Sequence, residues 1–118
     1  MRKRYYYTKV YFFNQLYFEG EELNGEKKGK IKDYYDGKLK FDGEYLHGQK
    51  NGKGKEFDYN GKLIYEGEYI NGKRIGKGKE YYDNGNLKFE GEYLKGVKNR
   101  KGKEYYDNGN LKFEGEYL

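Results

Sequence analysis

The sequence predicts an all-β protein, built as an elongated, twisted, single-layer antiparallel sheet of about five repeated β-hairpins. Two observations lead to this fold class. The block at Phe89–Leu94 returns unchanged at Phe113–Leu118, and variants of it recur at a spacing of 23 or 24 residues, which indicates a copied structural unit. The copies also contain Asn60-Gly61, Asn84-Gly85 and Asn108-Gly109, and Asn-Gly is the strongest short-range signal for a tight hairpin turn.

Composition restricts the protein to a thin structure. Only 34% of the residues are hydrophobic, 38% are charged and the mean hydropathy is −1.38, so a round core of aliphatic side chains cannot be assembled. Chains of this composition are often disordered. Here 20% of the residues are aromatic and the chain has no Pro. Rings that recur at regular positions therefore indicate an ordered sheet.

The chain is expected to be one repeat array over residues 1–118. Residues 1–23 are interpreted as a degenerate, aromatic-rich N-terminal cap, because Leu16–Gly20 matches Leu87–Gly91 and Tyr5–Phe12 can supply its partner strand. Tandem repeats of 23–24 residues then fill residues 24–118. The last unit stops before its second turn, as in an array cut from a longer one.

The register of each hairpin follows if Asn84 and Gly85 form a two-residue type I′ turn. The opposed pairs would be Tyr82–Leu87, Tyr81–Lys88, Glu80–Phe89, Lys79–Glu90, Gly78–Gly91, Lys77–Glu92 and Gly76–Tyr93. Because side chains alternate between faces, one face would carry rings above a floor of glycines and the other would carry opposed Lys–Glu pairs. Only Glu80 does not fit its aromatic face. The second connection, residues 71–75, is expected to be a longer turn that contains glycine.

The first full unit departs from this pattern. Asp36-Gly37 replaces Asn-Gly and one residue is missing, so Ile31 takes the place of a floor glycine. A simple two-residue loop would pair Lys32 with Phe41, and we therefore expect a bulge or a local change of register there.

The segment Tyr65–Gly78 (YEGEYINGKRIGKG) resembles the MORN repeat (membrane occupation and recognition nexus), and Phe41–Lys55 and Phe89–Lys103 are similar. The resemblance implies an extended, single-layer sheet with a ring-lined groove that acts as a scaffold or protein-binding module; a lipid-binding role does not hold across the family. Two departures stand out. Tyr replaces the family's preferred Trp at Tyr45, Tyr69, Tyr93 and Tyr117. Arg100 and Val97 replace Gly and Lys in the last unit, so its turn is expected to differ.

Enzymatic chemistry has little support. The chain has no Ser or Cys, one Thr (Thr8) and one His (His47), so the usual pairs of nucleophile and base cannot be built. His47 occupies a turn position where other copies carry Asn or Lys, which makes it a turn variant. Carboxylates such as Glu66 and Glu68 recur in every unit opposite lysines. Gly72–Gly78 is too short for a phosphate-binding loop and lacks its Ser or Thr. We expect no catalytic residue, cofactor or metal.

The predicted function is non-enzymatic binding of a protein segment. A single-layer sheet would leave the apolar area of its aromatic face uncovered, and such patches mark interaction surfaces. The expected occupant is a helix or an extended peptide, or a second copy of the chain bound face to face or through open edge strands. The expected contact residues are Phe41, Tyr45, Tyr65, Tyr69, Tyr82, Phe89, Tyr93, Tyr106, Phe113 and Tyr117.

Two alternative partners follow from charge. The net charge is +5, and Arg2, Lys3, Arg4 and Lys9 precede the first acid, Glu19. This end, together with the lysine-rich turns, could contact anionic membrane lipid; alternatively, it is a solubilising terminus. Single-stranded nucleic acid could stack on the rings. It is disfavoured because glutamates would repel phosphates on their face and the aromatic face carries few cations in this register.

The expected location is cytoplasmic, with peripheral contact to a membrane or the cytoskeleton. The absence of Cys fits a reducing compartment. No apolar signal segment follows the basic start, and Val10–Phe13 is far too short to cross a bilayer.

Overall fold

The protein is a single open antiparallel sheet. A computed structural model describes residues 5–118, with Tyr5 described by its backbone only. Ten strands lie in sequence order, and each hydrogen-bonds its neighbours along the chain. The principal extents are 51 × 32 × 15 Å, so the sheet is elongated and one layer thick. The predicted fold class is confirmed.

The strands are β1 (Tyr5–Phe12), β2 (Gln15–Leu23), β3 (Glu26–Tyr35), β4 (Lys38–Leu46), β5 (Gln49–Phe57), β6 (Leu63–Ile70), β7 (Lys73–Tyr81), β8 (Leu87–Leu94), β9 (Val97–Tyr105) and β10 (Leu111–Tyr117). The expected pairing of Tyr5–Phe12 with the segment that follows is confirmed, because β1 pairs with β2 from Tyr5–Leu23 to Phe12–Gln15.

The tight two-residue turns lie where the sequence predicted longer ones. Between β6 and β7, Asn71 and Gly72 have φ values of 50° and 82°. Ile70 opposes Lys73 directly, so the turn contains two residues. Positive φ at both central residues is the geometry of a type I′ turn. The predicted long turn over residues 71–75 is therefore wrong.

The Asn-Gly dipeptides form a different turn from the predicted one. The amide of Gly85 donates to the carbonyl of Tyr82 at 2.9 Å, and the amide of Tyr82 donates to the carbonyl of Asn86 at 2.9 Å. Gly85 has a φ of 86°, whereas Asn84 does not have a positive φ. This is a three-residue loop over residues 83–85, in which glycine forms the bulge. The predicted two-residue turn is wrong, and Tyr81 rather than Tyr82 opposes Leu87.

Beyond the turn, the predicted register is confirmed. The observed pairs are Glu80–Phe89, Lys79–Glu90, Gly78–Gly91, Lys77–Glu92 and Gly76–Tyr93. The shift at the loop is absorbed by an irregularity between Glu80 and Tyr81. Rings and glycines therefore share one face and the Lys–Glu pairs share the other, as predicted.

The two atypical units retain the same plan. Asp36 and Gly37 have φ values of 52° and 75°, so the two-residue loop predicted there is present. The register then shifts between Asp33 and Tyr34, which confirms the predicted bulge, and Ile31 opposes Gly43. In the last unit Lys95 and Gly96 have φ values of 52° and 85°, as in the other two-residue turns, and Arg100 adopts a φ of 61°, close to the 65° of its counterpart Gly76. Its turn therefore keeps the shape of the others, and the predicted difference is wrong.

Glycines form the predicted floor beneath the rings. A Cβ atom added at Gly54 would lie 2.5 Å from Cζ of Phe41, and one added at Gly102 would lie 2.6 Å from Cε1 of Phe89. Real Cβ atoms do not approach other atoms this closely, so no side chain fits at these positions. Absence of a side chain on one strand allows the ring of its neighbour to lie flat against the backbone.

We expect Gly78→Ala to lower the free energy of unfolding by about 1–3 kcal/mol, as overpacking in a close-packed core does. The added Cβ would lie 2.8 Å from Cε1 of Tyr65, which is itself fully buried. Urea unfolding would measure the change. Lys79→Ala, on the exposed face of the same strand, is the control and should stay within about 0.5 kcal/mol of the wild type. Equal stabilities for the two variants would contradict the glycine floor.

Candidate functional site

The aromatic face contains a continuous row of packed rings, which we call the aromatic spine. Its members are Phe41, Tyr45, Tyr65, Tyr69, Phe89, Tyr93, Phe113 and Tyr117. Ring centroids are 5.4 Å apart for Phe41–Tyr69 and 5.4 Å for Tyr65–Tyr93, with near-perpendicular planes. Edge-to-face packing at this distance is favourable. The spine is therefore the hydrophobic core of the sheet.

Burial of the spine revises the sequence-based interpretation of the site. The exposed fractions of Phe41, Tyr65, Tyr69, Phe89 and Tyr93 are 1%, 0%, 4%, 0% and 4%. The expectation that nothing within the chain covers the aromatic face is wrong for these residues. They cannot contact a partner, or stack on a nucleic-acid base, unless the packing opens.

Cations cover the rings. Nζ of Lys50 lies 4.4 Å from the ring centroid of Phe41, the guanidinium of Arg74 lies 3.8 Å from that of Tyr65, and Nζ of Lys98 lies 4.3 Å from that of Phe89. Such contacts attract a cation to the ring face. Burial lowers the pKa of Lys50.

The expectation of few cations on this face is therefore wrong, and the turn between β6 and β7 explains why. Because that turn has only two residues, Arg74 belongs to β7 and opposes Tyr69. A longer turn would have left it in a loop.

A tyrosine–carboxylate pair repeats along the same face and explains Glu80. The hydroxyl of Tyr93 donates to Oε2 of Glu80, and the same bond recurs at Tyr69–Glu56, Tyr117–Glu104 and Tyr45–Asp33. Arg74 adds donors 3.3 Å from Oε2 of Glu56. Burial, followed by the hydrogen bond to Glu80, raises the pKa of Tyr93. The phenol therefore remains a donor at neutral pH.

The other predicted contact residues have reachable surface. Tyr106 is 51% exposed and Phe113 is 41% exposed, whereas Tyr45 and Tyr117 are half-buried. Tyr82 is also half-buried, and its hydroxyl donates to the carbonyl of Tyr105 at 2.6 Å. These rings lie at the ends and loops of the aromatic face, so they form no continuous patch.

The opposite, charged face forms a large concave surface, which we call the groove. Its volume is 1270 Å³, and it crosses the six strands β5–β10, with Asp42 of β4 at its margin. Its lining residues are Asp42, Lys53, Gly54, Lys55, Glu66, Gly67, Glu68, Lys77, Gly78, Lys79, Glu90, Gly91, Glu92, Lys101, Gly102, Lys103, Glu114, Gly115 and Glu116. Sequence reasoning found these charge pairs but treated them as structural. The alternation of Lys-Gly-Lys with Glu-Gly-Glu was the signal that could have revealed the groove.

Charge in the groove is arranged by strand. Strands β5, β7 and β9 present lysines, and β6, β8 and β10 present glutamates. Lys103 and Glu114 approach to 3.5 Å, and this is the single ion pair within 4 Å among the groove residues. Two glutamates accept from tyrosines, namely Glu66 from Tyr81 at 2.6 Å and Glu90 from Tyr105 at 3.1 Å. Most groove charges are therefore available to an incoming ligand.

Three exposed rings surround the turn between β1 and β2, and we call them the aromatic tip: Phe12, Phe13 and Tyr17. Phe13 is 93% exposed and has a φ of 50°, which is rare for a bulky residue. The ring centroids of Phe12 and Tyr17 are 5.8 Å apart.

Of the basic residues predicted to contact anionic surfaces, Lys9 is exposed on β1 opposite Glu19. Arg2, Lys3 and Arg4 lie outside the described residues.

The structure confirms that His47 is a turn variant. It has a φ of 50° in the two-residue turn between β4 and β5, and its side chain is exposed. Within residues 5–118, no group of three or more His, Cys, Asp or Glu side chains is placed to hold a metal ion.

Comparison with known proteins identifies the repeat. The family model of the MORN repeat matches residues 65–87. A second model, the MORN repeat variant, matches residues 50–71 and 101–118. No curated protein matches the chain.

Two tyrosine-to-phenylalanine variants should change stability in opposite directions. The hydroxyl of Tyr65 is buried and has no hydrogen-bond partner, so we expect Tyr65→Phe to raise the free energy of unfolding by about 1 kcal/mol. Tyr93→Phe removes the donor to Glu80 and should lower it by about 1–2 kcal/mol. Urea unfolding near neutral pH would measure both. A Tyr93→Phe variant as stable as the wild type would show that the tyrosine–carboxylate bond does not stabilise the spine, and a destabilised Tyr65→Phe variant would contradict the cost of the unpartnered hydroxyl.

Proposed function

Because this chain is a MORN repeat protein, we propose that it is a non-enzymatic scaffold that binds a segment of a partner protein in the groove. MORN repeats are modules that generally serve protein or membrane interaction. The observation that supports this function best is the contrast between the two faces. The aromatic face packs on itself, whereas the charged face presents a groove across six strands in which most opposed Lys and Glu side chains are not within 4 Å of each other.

The aromatic residues then have a supporting role in binding. Phe89 and Tyr93 are buried, and the glycine floor beneath such rings is the same backbone that separates the charged side chains of the groove. On the aromatic face, only exposed rings such as Tyr106 and Phe113 would contact the partner. Truncating a buried ring would destabilise the sheet, so it would not separate binding from stability.

A second copy of the chain is the alternative protein partner. The groove carries both charge signs in alternating strands, so two grooves could face each other with opposite charges aligned. Analytical ultracentrifugation would distinguish this case, since the purified protein would then self-associate in a concentration-dependent way.

The part of the chain that the structure describes, residues 5–118, contains no helix that could span a membrane.

Affinity capture from the native cell tests the groove. We expect Lys77→Glu/Lys79→Glu to lose the partner, because it reverses the charge of one groove strand. Lys62→Glu/Lys95→Glu is the control, since both lysines are exposed outside the groove and the change in net charge is the same. Quantitative mass spectrometry of the captured proteins measures the loss, with circular dichroism as a check of folding. Equal capture by the two variants would contradict groove binding.

The aromatic tip supports a second candidate function, attachment to an anionic membrane surface. Exposed Phe and Tyr rings favour the boundary between lipid headgroups and hydrocarbon. In the sequence, Arg2, Lys3 and Arg4 precede the first strand, β1, and basic clusters attract anionic lipid. The strained φ of Phe13 strengthens the case, because the first residue of the other two-residue turns, such as Asn71, is polar.

Vesicle flotation tests this second function. We expect the wild type to float with vesicles that contain phosphatidylserine at low salt, and Phe12→Ser/Phe13→Asn to lose at least half of the bound fraction. Tyr59→Ser is the control, because Tyr59 is 60% exposed at a different turn. Flotation of the tip variant at the wild-type level would exclude the aromatic tip as a membrane anchor.

A further inference from the structure

We propose that the occupant of the groove is an α-helix that presents charges of alternating sign at successive turns of one face. This inference rests on the proposed function, since it specifies the kind of protein segment that the groove binds. It follows from three properties of the groove: its balance of charge, the spacing of its charged strands and the state of its backbone.

The balance of charge in the groove excludes a partner whose charges all have the same sign. The groove is lined by six lysines and seven acidic residues, so its net charge is close to zero. A polyanion such as nucleic acid, or an anionic vesicle, would meet as much repulsion as attraction. A partner gains from this surface only if its own charges alternate in the same order, so that each positive strand faces a negative group.

The spacing of the charged strands selects the partner's geometry. Neighbouring strands in a sheet lie about 4.8 Å apart, so charge changes sign at about that interval along the groove. On one face of an α-helix, successive turns are about 5.4 Å apart. A helix laid across the strands would therefore place one charged side chain above each strand. The remaining mismatch of about 0.6 Å per strand is small compared with the reach of Lys and Glu side chains.

The backbone of the groove also favours a helix over an extended peptide. Strands β5–β9 each have a neighbour on both sides, so their amides and carbonyls are already paired within the sheet. An extended peptide lying on this face would find only side chains, and its own amides and carbonyls would remain unpaired by the protein. A helix satisfies its backbone internally. Six strands span about five intervals, which corresponds to a helix of about 16–18 residues.

A row of aliphatic side chains lies beside the charged residues of the groove and would contact one flank of the bound helix. Leu46, Ile70 and Leu94 are 40%, 49% and 43% exposed. Each lies two residues after a glutamate (Glu44, Glu68 or Glu92), so alternation along the strand places it on the charged face at the same end of its strand. The partner helix would gain from small apolar residues on the flank above this row.

Two peptides of identical composition test the proposal on the wild-type protein. Both are labelled helices of about 18 residues, matched in helix content by circular dichroism. One alternates Glu and Lys at successive turns of one face, and the other carries all Glu in its first half and all Lys in its second. Fluorescence anisotropy should show at least about ten-fold tighter binding of the alternating peptide, weakening as salt is added. Affinities within about two-fold of each other, or no binding of either peptide, would overturn the proposal.

A composition-preserving variant of the protein gives an independent measurement. Lys77→Glu/Lys79→Glu/Glu90→Lys/Glu92→Lys exchanges the charges of β7 and β8 without changing the net charge. It should remove the preference for the alternating peptide, and a retained preference would contradict the proposal. Should this variant fail to fold, the comparison of peptides on the wild type decides alone. Loss of cellular capture by the groove variants without any preference between peptides would leave the proposed function standing and reject the helix.

Discussion

The structure depends on the contact between an aromatic ring and a pair of glycines. A sheet one layer thick has no second layer to cover its apolar residues, so the rings must be buried within the layer itself. Glycines on the neighbouring strand leave the space for this, and Arg74 or a lysine covers the rings of Phe41, Tyr65 and Phe89. The tyrosine–carboxylate bonds then hold successive rings in order. Close packing and cation–π attraction replace the usual second layer.

The same contact determines what the other face can do. Gly78 and its counterparts leave room for the rings on one face, and the residues on either side of them, such as Lys77 and Lys79, extend to the other face. The charged side chains are thus arranged in rows by the strands that bury the rings. Repetition of the unit multiplies these rows into a surface with regular charge alternation. A surface of this kind suits recognition of a long partner segment better than chemistry at one point.

Much of the fold could be predicted from the sequence because its signals are local and repeated. The period, the Lys–Glu pairs and the glycine floor each recur, so the register between β7 and β8 was correct from Glu80–Phe89 to Gly76–Tyr93. Turn types were wrong because Asn-Gly suits both a two-residue turn and the last two positions of a three-residue loop. The turn before β7 was predicted over residues 71–75 but contains only Asn71 and Gly72, and this difference decided where Arg74 points. That error hid the cations that cover the rings, and with them the burial of Phe89 and Tyr93.

The spine also has a consequence for how single strands move. Tyr65 of β6 and Tyr93 of β8 meet over β7, which contributes glycine and Arg74 to the aromatic core but no ring of its own. Strand β7 therefore cannot detach until the rings on both sides of it separate. Its amides should exchange hydrogen with solvent as slowly as those of its ring-bearing neighbours. Opening of the sheet would then proceed inward from the ends, one hairpin at a time, because each inner strand is locked by side chains that belong to other strands.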